Sequence, residues 1–281
     1  MSTAFVLSGG ASLGAAQVGM LAALADAGIR PDLILGTSVG AINGAWVAGH
    51  SDPEGVELLA ETWRSVRRND VFPAHLLVGL LGFVGRRRYL VPATALRSLV
   101  ARHLQFARLE DAPIPFHAIA VDLLSGADVR LSAGNALDAI VASASIPGVF
   151  PPVSIGGRFH IDGGAVNNTP ISHAVDLGAD TIWVMSAGHA CALEEVPRGA
   201  LAMALHGLDL AVNHRLAVDI ERYESVVDLR VVPPLCPMVA SPTDFGHSAE
   251  FIDRARESTA RWLQSAPPST GQATLVAPHL H

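Results

Sequence analysis

Charged side chains are scarce in this sequence, and their scarcity limits the partners that suit it. Only 16% of the 281 residues are charged, half are hydrophobic, and the mean hydropathy is +0.36. The formal net charge of -7 leaves no dominant basic face, which argues against a nucleic acid as partner. A composition this rich in apolar residues indicates extensive burial or contact with lipid. We expect one domain over residues 1–265 and a flexible tail, rich in Pro, Ser and Thr, over residues 266–281.

Cysteine is almost absent as well, since the chain has only Cys191 and Cys236. Their number and spacing form neither a disulfide framework nor a zinc-binding pattern. We therefore expect both to be buried as small apolar residues, in a protein of the reducing cytoplasm that binds no metal.

The first 25 residues contain no charged side chain, which raises the question of a signal peptide or a membrane span. The stretch also lacks the basic start of a signal peptide. Small and polar residues interrupt it, namely Ser8, Gly9, Gly10, Ser12, Gly14, Gln17 and Gly19. We expect a buried strand from Ala4 to Leu7 and a helix from about Leu13 to Ala27 instead. No other segment is a convincing span.

Two glycine patterns that bind nucleotides are incomplete here. The dinucleotide fingerprint requires G-x-G-x-x-G, but Ala11 stands between Gly9 and Gly14 where the middle glycine belongs. No Asp or Glu ends the second strand to hold a ribose, and the Gly-Lys-Ser/Thr of a phosphate-binding loop does not occur. The sequence therefore argues against a nucleotide. The N–H groups of this loop still suit an anion, including a tetrahedral oxyanion.

The most informative stretch is Gly36-Thr37-Ser38-Val39-Gly40, which lies between a short apolar strand and a helix of small residues. A G-x-S-x-G turn at such a corner exposes a serine hydroxyl, and Gly36 and Gly40 allow the sharp bend. The N-terminus of the following helix favours a developing negative charge. Serine between glycines is also ordinary turn chemistry, so the pattern alone leaves both interpretations open.

A serine nucleophile needs a base, and the residues alone leave more than one candidate. Asp162 ends a predicted strand and precedes Gly163 and Gly164, so its carboxylate is expected at the sheet edge where Ser38 also emerges. Partial burial would raise its pKa towards that of a useful base. A plain Asp-Gly-Gly turn is the structural alternative. A Ser-His-Asp triad is the chemical alternative, although no histidine lies in a distinctive turn among the candidates His189, His206, His214 and His247.

The order of the predicted elements indicates an α/β fold with three layers, α/β/α, around a mainly parallel central sheet. The chain begins with a strand, a glycine loop, a helix, a second strand, the serine turn and a second helix. We expect a hairpin from Phe116–Leu124 and Val129–Leu131. A last helix, Ser248–Leu263, would carry Phe251, Ala255 and Trp262 towards the core.

Residues Val71 to Gly85 carry no formal charge and are followed by Arg86-Arg87-Arg88. An apolar run beside a basic cluster is typical of a segment that rests on a membrane surface. It is equally typical of a cap over the core with arginines in solvent, which is the interpretation we favour. The two are compatible, and together they describe a cytoplasmic protein with a transient, peripheral membrane contact.

Four motifs, in this order, resemble those of the patatin-like phospholipase family: Leu7-Ser-Gly-Gly-Ala-Ser-Leu-Gly14, Gly36-Thr-Ser-Val-Gly40, Ala144-Ser-Ile-Pro-Gly148 and Asp162-Gly-Gly164. A further motif, Asn167-Asn-Thr-Pro170, is similar to bacterial members in particular. The resemblance covers about residues 3 to 187.

The resemblance implies a lipid acyl hydrolase that uses a Ser-Asp dyad, with Ser38 as nucleophile and Asp162 as general base. Such enzymes cleave fatty-acyl esters of phospholipids or lysophospholipids through an acyl-enzyme, without calcium or another cofactor. The resemblance also implies that the loop from Gly9 to Gly14 forms the oxyanion hole, with main-chain N–H groups around Gly10 and Ala11 as donors.

Two positions depart from the family pattern. Ala11 replaces a glycine and keeps the N–H but restricts φ, and Leu13 replaces an arginine or lysine. These departures motivate an alternative hypothesis, in which the chain has the patatin fold and binds a lipid or a partner without catalytic turnover.

Overall fold

The computed structural model describes residues 1–50, 52–73, 86–187, 196, 199–236, 238 and 240–265. Its strands are β1 Thr3–Leu7, β2 Leu33–Thr37, β3 Phe116–Asp122, β4 Asp128–Leu131, β5 Val153–Ile155, β6 Arg158–Asp162, β7 Thr181–Met185 and β8 Asp228–Val232. Its α-helices are α1 Gly14–Asp26, α2 Val39–Gly49, α3 Pro53–Ser65, α4 Arg68–Val71, α5 Thr94–His103, α6 Ala136–Ser143, α7 Ile171–Asp176, α8 Ala200–Tyr223 and α9 Ser248–Gln264. Short 3-10 turns occupy Ala11–Leu13, Leu109–Asp111 and Gly163–Ala165.

The strands of the described residues form one mixed sheet, which confirms the predicted α/β class. Hydrogen-bonded neighbours run β5-β6-β3-β2-β1-β7-β8, and β4 also pairs with β3. The strands β3, β2, β1, β7 and β8 are parallel, whereas β4, β5 and β6 pair antiparallel. The predicted hairpin is therefore present as β3 and β4.

Helices cover both faces of the sheet, as the three-layer prediction requires. Alternate residues of a strand point to opposite faces. In β1, Phe5 and Leu7 join an apolar cluster with α1, α2 and α9, while Ala4 and Val6 join a second cluster with α7 and α8. Burial on both faces is the reason that β1 is an unbroken apolar run rather than an alternating one.

The pairing of β3 brings two strand ends together. Ala120 pairs with Asp162 of β6 and also with β4, so β6 and β4 lie on opposite edges of β3. Ile119 pairs with Thr37 of β2 and also with β4. Hence β2 and β6 share one edge of β3. Strand β2 runs parallel to β3, whereas β6 runs antiparallel to it, so β2 and β6 run towards each other. Their last residues, Thr37 and Asp162, pair with adjacent residues of β3.

One prediction about the cysteines is wrong. Cys236 is disulfide-bonded rather than a reduced, buried thiol. Two cysteines far apart in sequence are joined only if the fold brings them together, which their spacing does not reveal. The cysteines therefore no longer support a reducing compartment. The other cysteine of the chain, Cys191, lies outside the described residues.

Three further predictions fall wholly or partly outside the described residues: the tail 266–281, the candidate His189, and most of the apolar run, residues 74–85. Phe72, at the start of that run, is buried in the core. None of the helices in the described ranges combines the length and apolar composition that crossing a membrane requires.

Candidate active site

Ser38 stands at the corner between β2 and α2 in a conformation that is unusual for a residue with a side chain. Its φ is 56° and its ψ is -124°, and it is only 7% exposed. Backbone strain of this kind persists where the surroundings enforce it. A Cβ at Gly36 would lie 2.3 Å from the carbonyl oxygen of Gly40, and one at Gly40 would lie 2.2 Å from that of Leu7. Both glycines of the turn are thus required by close backbone contacts.

The Ser38 hydroxyl donates a hydrogen bond of 2.6 Å to Oδ2 of Asp162. The other carboxylate oxygen, Oδ1, accepts 2.7 Å from the N–H of Gly164, in the turn that follows β6. Asp162 is 5% exposed. The structure therefore places these two side chains in direct contact, at the distance that proton transfer requires.

Burial raises the pKa of Asp162 to about 6, against the opposing effect of the hydrogen bonds from Ser38 and Gly164. Removing a carboxylate from water disfavours its charged form, and no cation compensates here among the contacts that shift this pKa. A carboxylate with such a pKa is mostly ionised at neutral pH, yet it is a stronger proton acceptor than an ordinary aspartate.

The loop before α1 leaves two main-chain donors unused. The N–H of Gly9 donates to the carbonyl oxygen and to Oδ1 of Asn168, at 3.3 and 3.2 Å, and the N–H of Gly14 donates within the 3-10 turn. Within the described part of the chain, the N–H groups of Gly10 and Ala11 have no acceptor. Both residues are partly exposed, so these two donors remain accessible to a ligand.

The same loop packs tightly against the serine corner. A Cβ at Gly9 would lie 3.0 Å from the Cβ of Ser38, and one at Gly14 would lie 2.5 Å from Cγ2 of Val39. Ala11 has a φ of 50°, a strained value for alanine. Leu13 is 2% exposed and belongs to the apolar core. At the position of the family's cation this chain therefore has a core residue.

An apolar cavity opens beside Ser38 and Ala11, between α2, α3 and α5. Among the described residues that line it, three side chains have polar atoms besides the two tryptophans, namely Ser38, Thr62 and His103. The aromatic walls are Trp46, Trp63, Phe72, Phe150 and Phe245. A cavity of this composition suits an extended apolar chain, and its described lining contains no Asp, Glu, Lys or Arg to pair with a charged ligand.

Three of the four histidine candidates lie within the described residues, and none of the three is hydrogen-bonded to Ser38. His206 and His214 lie along α8, and His247 precedes α9. No histidine in the described ranges is hydrogen-bonded to either member of the Ser38–Asp162 pair. His103 lines the cavity, a role that its position in a helix did not reveal, and burial lowers its pKa. Among those same residues, no cluster of His, Cys, Asp and Glu could hold a metal ion.

A comparison with family models matches residues 5–175 to the model described as patatin-like phospholipase. The chain belongs to the patatin-like phospholipase family. Among curated members, patatin-like phospholipase domain-containing protein 7 of Rattus norvegicus is 31% identical over 66% of this chain. Lysophospholipase nte1 of Aspergillus terreus is 27% identical over 98% of it.

These relatives are far longer, because the matched parts are only 13% and 17% of their lengths. Among solved structures, VipD from Legionella pneumophila has a similar fold, with a TM-score of 0.51 at 14% identity, covering 94% of this chain and 67% of that one. The α/β architecture of this family member is thus shared with a solved structure whose sequence has diverged widely.

Proposed function

We propose that this protein is a serine hydrolase that cleaves fatty-acyl esters of phospholipids or lysophospholipids. The observation that carries the proposal is the 2.6 Å hydrogen bond from Ser38 to Asp162. Ser38 also lines an apolar cavity, which provides a place for the acyl chain. Membership of the patatin-like phospholipase family and the lysophospholipase name of one relative support this substrate class.

Acylation begins when Oγ of Ser38 attacks the ester carbonyl while Asp162 accepts the hydroxyl proton. The carbonyl oxygen becomes an oxyanion, which accepts hydrogen bonds from the N–H groups of Gly10 and Ala11. When the ester C–O bond breaks, the proton on Asp162 passes to the leaving alcohol. The acyl group is then bonded to Ser38.

Deacylation repeats these roles with water as the nucleophile. Asp162 accepts a proton from the water as it attacks the acyl carbonyl, and a second oxyanion forms in the same place. Collapse of that intermediate breaks the bond to Ser38, which regains its proton from Asp162. The products are the fatty acid and the free enzyme, and every proton is accounted for within the dyad.

Three features would lower the barrier. The pKa of about 6 makes Asp162 an effective base near neutral pH. The N-terminus of α2 favours negative charge on Ser38. Each oxyanion donor of this kind typically contributes about 2.7–4 kcal/mol to the transition state.

The test is hydrolysis of p-nitrophenyl laurate and of lysophosphatidylcholine by the purified protein, together with fluorophosphonate labelling. We expect Ser38→Ala and Asp162→Asn to abolish turnover, and Ser38→Ala to abolish labelling. Activity that survives both changes would refute the dyad. An unlabelled, inactive but folded wild type would support the binding protein instead, and loss of labelling in His103→Gln alone would point to a histidine base.

A transient membrane contact through residues 71–89 is a separate proposal. It is supported by the apolar composition of residues 71–85 and the three arginines that follow. Co-sedimentation with anionic liposomes should weaken when Arg86, Arg87 and Arg88 are all replaced by Gln. Unchanged co-sedimentation would count against this contact.

A further inference from the structure

The side chain of Asn168 is hydrogen-bonded to both main-chain polar groups of Gly9, a residue of the candidate oxyanion loop. Its Oδ1 accepts from the N–H of Gly9 at 3.2 Å, and its Nδ2 donates to the carbonyl oxygen of Gly9 at 3.3 Å. Asn168 comes six residues after Asp162, beyond the turn that follows β6. It thus links the segment that carries the base to the loop before α1.

The carbonyl of Gly9 belongs to the same peptide group as the N–H of Gly10. A trans peptide is planar, so its C=O and N–H point in opposite directions. Two donors hold this carbonyl, Nδ2 of Asn168 and the hydroxyl of Ser8 at 3.1 Å. Fixing the carbonyl on the Asn168 side therefore directs the N–H of Gly10 away from it, and that N–H is one of the two unused donors.

Space around Asn168 is tight on both sides. A Cβ at Gly9 would lie 2.4 Å from Oδ1 of Asn168, and a Cβ at Gly164 would lie 2.8 Å from the same atom. The Gly164 Cβ would also lie 3.0 Å from Oδ1 of Asp162. The amide of Asn168 is therefore wedged between the oxyanion loop and the turn that holds the base.

We propose that Asn168 is a positioning residue that sets the Gly9–Gly10 peptide, and so aims the Gly10 N–H at the oxyanion formed on Ser38. The inference rests on the proposed hydrolase function and adds to it the residue that organises the oxyanion hole. Asn168 touches no reacting atom. It acts through the peptide that it orients and, by donating to the carbonyl, polarises the N–H of that peptide.

The experiment measures kcat, KM and the pH profile for p-nitrophenyl laurate in Asn168→Ala and Asn168→Asp. Asn168→Ala removes both side-chain bonds to Gly9. Asn168→Asp keeps the shape and an acceptor for the Gly9 N–H but cannot donate to the Gly9 carbonyl when ionised. Ser172→Ala is the matched control, because it removes a nearby bond, from Asn167 Nδ2 at 3.1 Å, without touching Gly9.

We expect kcat to fall by about tenfold to a thousandfold in Asn168→Ala, since an oxyanion donor is misaligned. KM should change little, and the pH midpoint of the activity should stay near that of the wild type, because Asp162 keeps both of its partners. In Asn168→Asp, kcat should fall similarly and the midpoint should rise, since a second carboxylate then lies close to Asp162. Ser172→Ala should retain the wild-type kcat.

A kcat within twofold of wild type in folded Asn168→Ala would overturn the inference and leave the dyad intact. Asn168→Asp preserves the shape of the side chain, so a wild-type activity of this variant at saturating substrate would also overturn the inference. If the wild type itself hydrolyses no ester and Ser38 does not react with a fluorophosphonate, the proposed function fails and this inference fails with it.

Discussion

The main-chain N–H of Ser38 donates to the hydroxyl oxygen of Ser143 at 3.0 Å, and that hydroxyl donates in turn to the carbonyl oxygen of Ile119 at 2.6 Å. All three groups belong to residues that are 7% exposed or less. The end of α6 thereby holds the strained serine corner against β3. Ser143 also occupies the N–H of Ser38, which is consistent with the proposal that the oxyanion donors are the N–H groups of Gly10 and Ala11.

Ser143→Ala should therefore lower both stability and turnover. The change removes the acceptor of the buried Ser38 N–H and a donor to the buried Ile119 carbonyl, at about 1–3 kcal/mol for a group left unpaired. Urea unfolding measures the loss. Ser145→Ala is the control, because its equally buried hydroxyl donates only to the carbonyl of Val141, one turn back, at 2.7 Å. Equal stability of the two variants would contradict the role assigned to Ser143.

The rate should depend on pH through Asp162. A general base must be ionised to accept the serine proton, and burial raises the pKa of this one to about 6. We expect kcat/KM for p-nitrophenyl laurate to rise as the pH increases through about 6 and then to level off. A midpoint near the ordinary aspartate pKa of 3.8 would show that the carboxylate is better solvated in solution than its burial indicates.

Stability should depend on pH in the opposite direction. The pKa of Asp162 is 3.8 ordinarily and about 6 when folded, so its contribution to stability is fully present below 3.8 and is lost as the pH rises through about 6. Asp162→Asn cannot ionise, and its amide can still accept from Gly164 and donate to Ser38. Relative to wild type, the free energy of unfolding of Asp162→Asn should therefore increase by up to about 3 kcal/mol as the pH rises to neutrality. A gap that does not change with pH would contradict the raised pKa.

The sequence was informative where the signal is local. The serine turn and the Asp-Gly-Gly turn each lie at the end of a strand that local pattern predicts. The helices predicted from about Leu13 to Ala27 and over Ser248–Leu263 begin and end within one residue of expectation. The pairing of β6 with β3 is not local, since it joins residues far apart in the chain. Strand β6 runs antiparallel to β3 and lies along the same edge of β3 as β2 does. Nothing near Ser143 or Asn168 in the sequence shows which backbone groups they bind. The strand Val153–Ile155 has three residues, too few for a periodic pattern.

The close contact between Gly14, at the end of the glycine loop, and Val39 of α2 can be tested by introducing a clash and then removing it with a second substitution. A Cβ at Gly14 would lie 2.5 and 2.9 Å from the two γ carbons of Val39. Gly14 has helical φ and ψ, so the backbone itself accepts alanine. We expect Gly14→Ala to destabilise the fold by about 1–3 kcal/mol through overpacking and to lower kcat by shifting the loop against Ser38.

The double variant Gly14→Ala with Val39→Ala should recover much of that loss, because it removes the atoms that clash. Thermal unfolding and kcat of both single variants and the double variant form the cycle. Purely additive losses would mean that the two residues do not interact as the contact predicts.

If the protein is the proposed acyl hydrolase, the cavity beside Ser38 should set the acyl-chain length that it accepts. Ala45 lines it two helical turns beyond Ser38 on α2, which places it away from the scissile bond. Ala45→Leu fills space that a long acyl chain would occupy but leaves room next to the serine. We expect kcat/KM for p-nitrophenyl laurate to fall by about tenfold or more, whereas that for p-nitrophenyl acetate stays close to wild type.

Ala25→Leu makes the same substitution in α1, at a partly buried site that does not line this cavity, and so controls for the general cost of a larger side chain. Its ratio of laurate to acetate activity should match that of wild type. If Ala45→Leu leaves the ratio unchanged as well, the acyl chain does not enter the cavity between α2, α3 and α5, and the substrate binds along another surface next to Ser38.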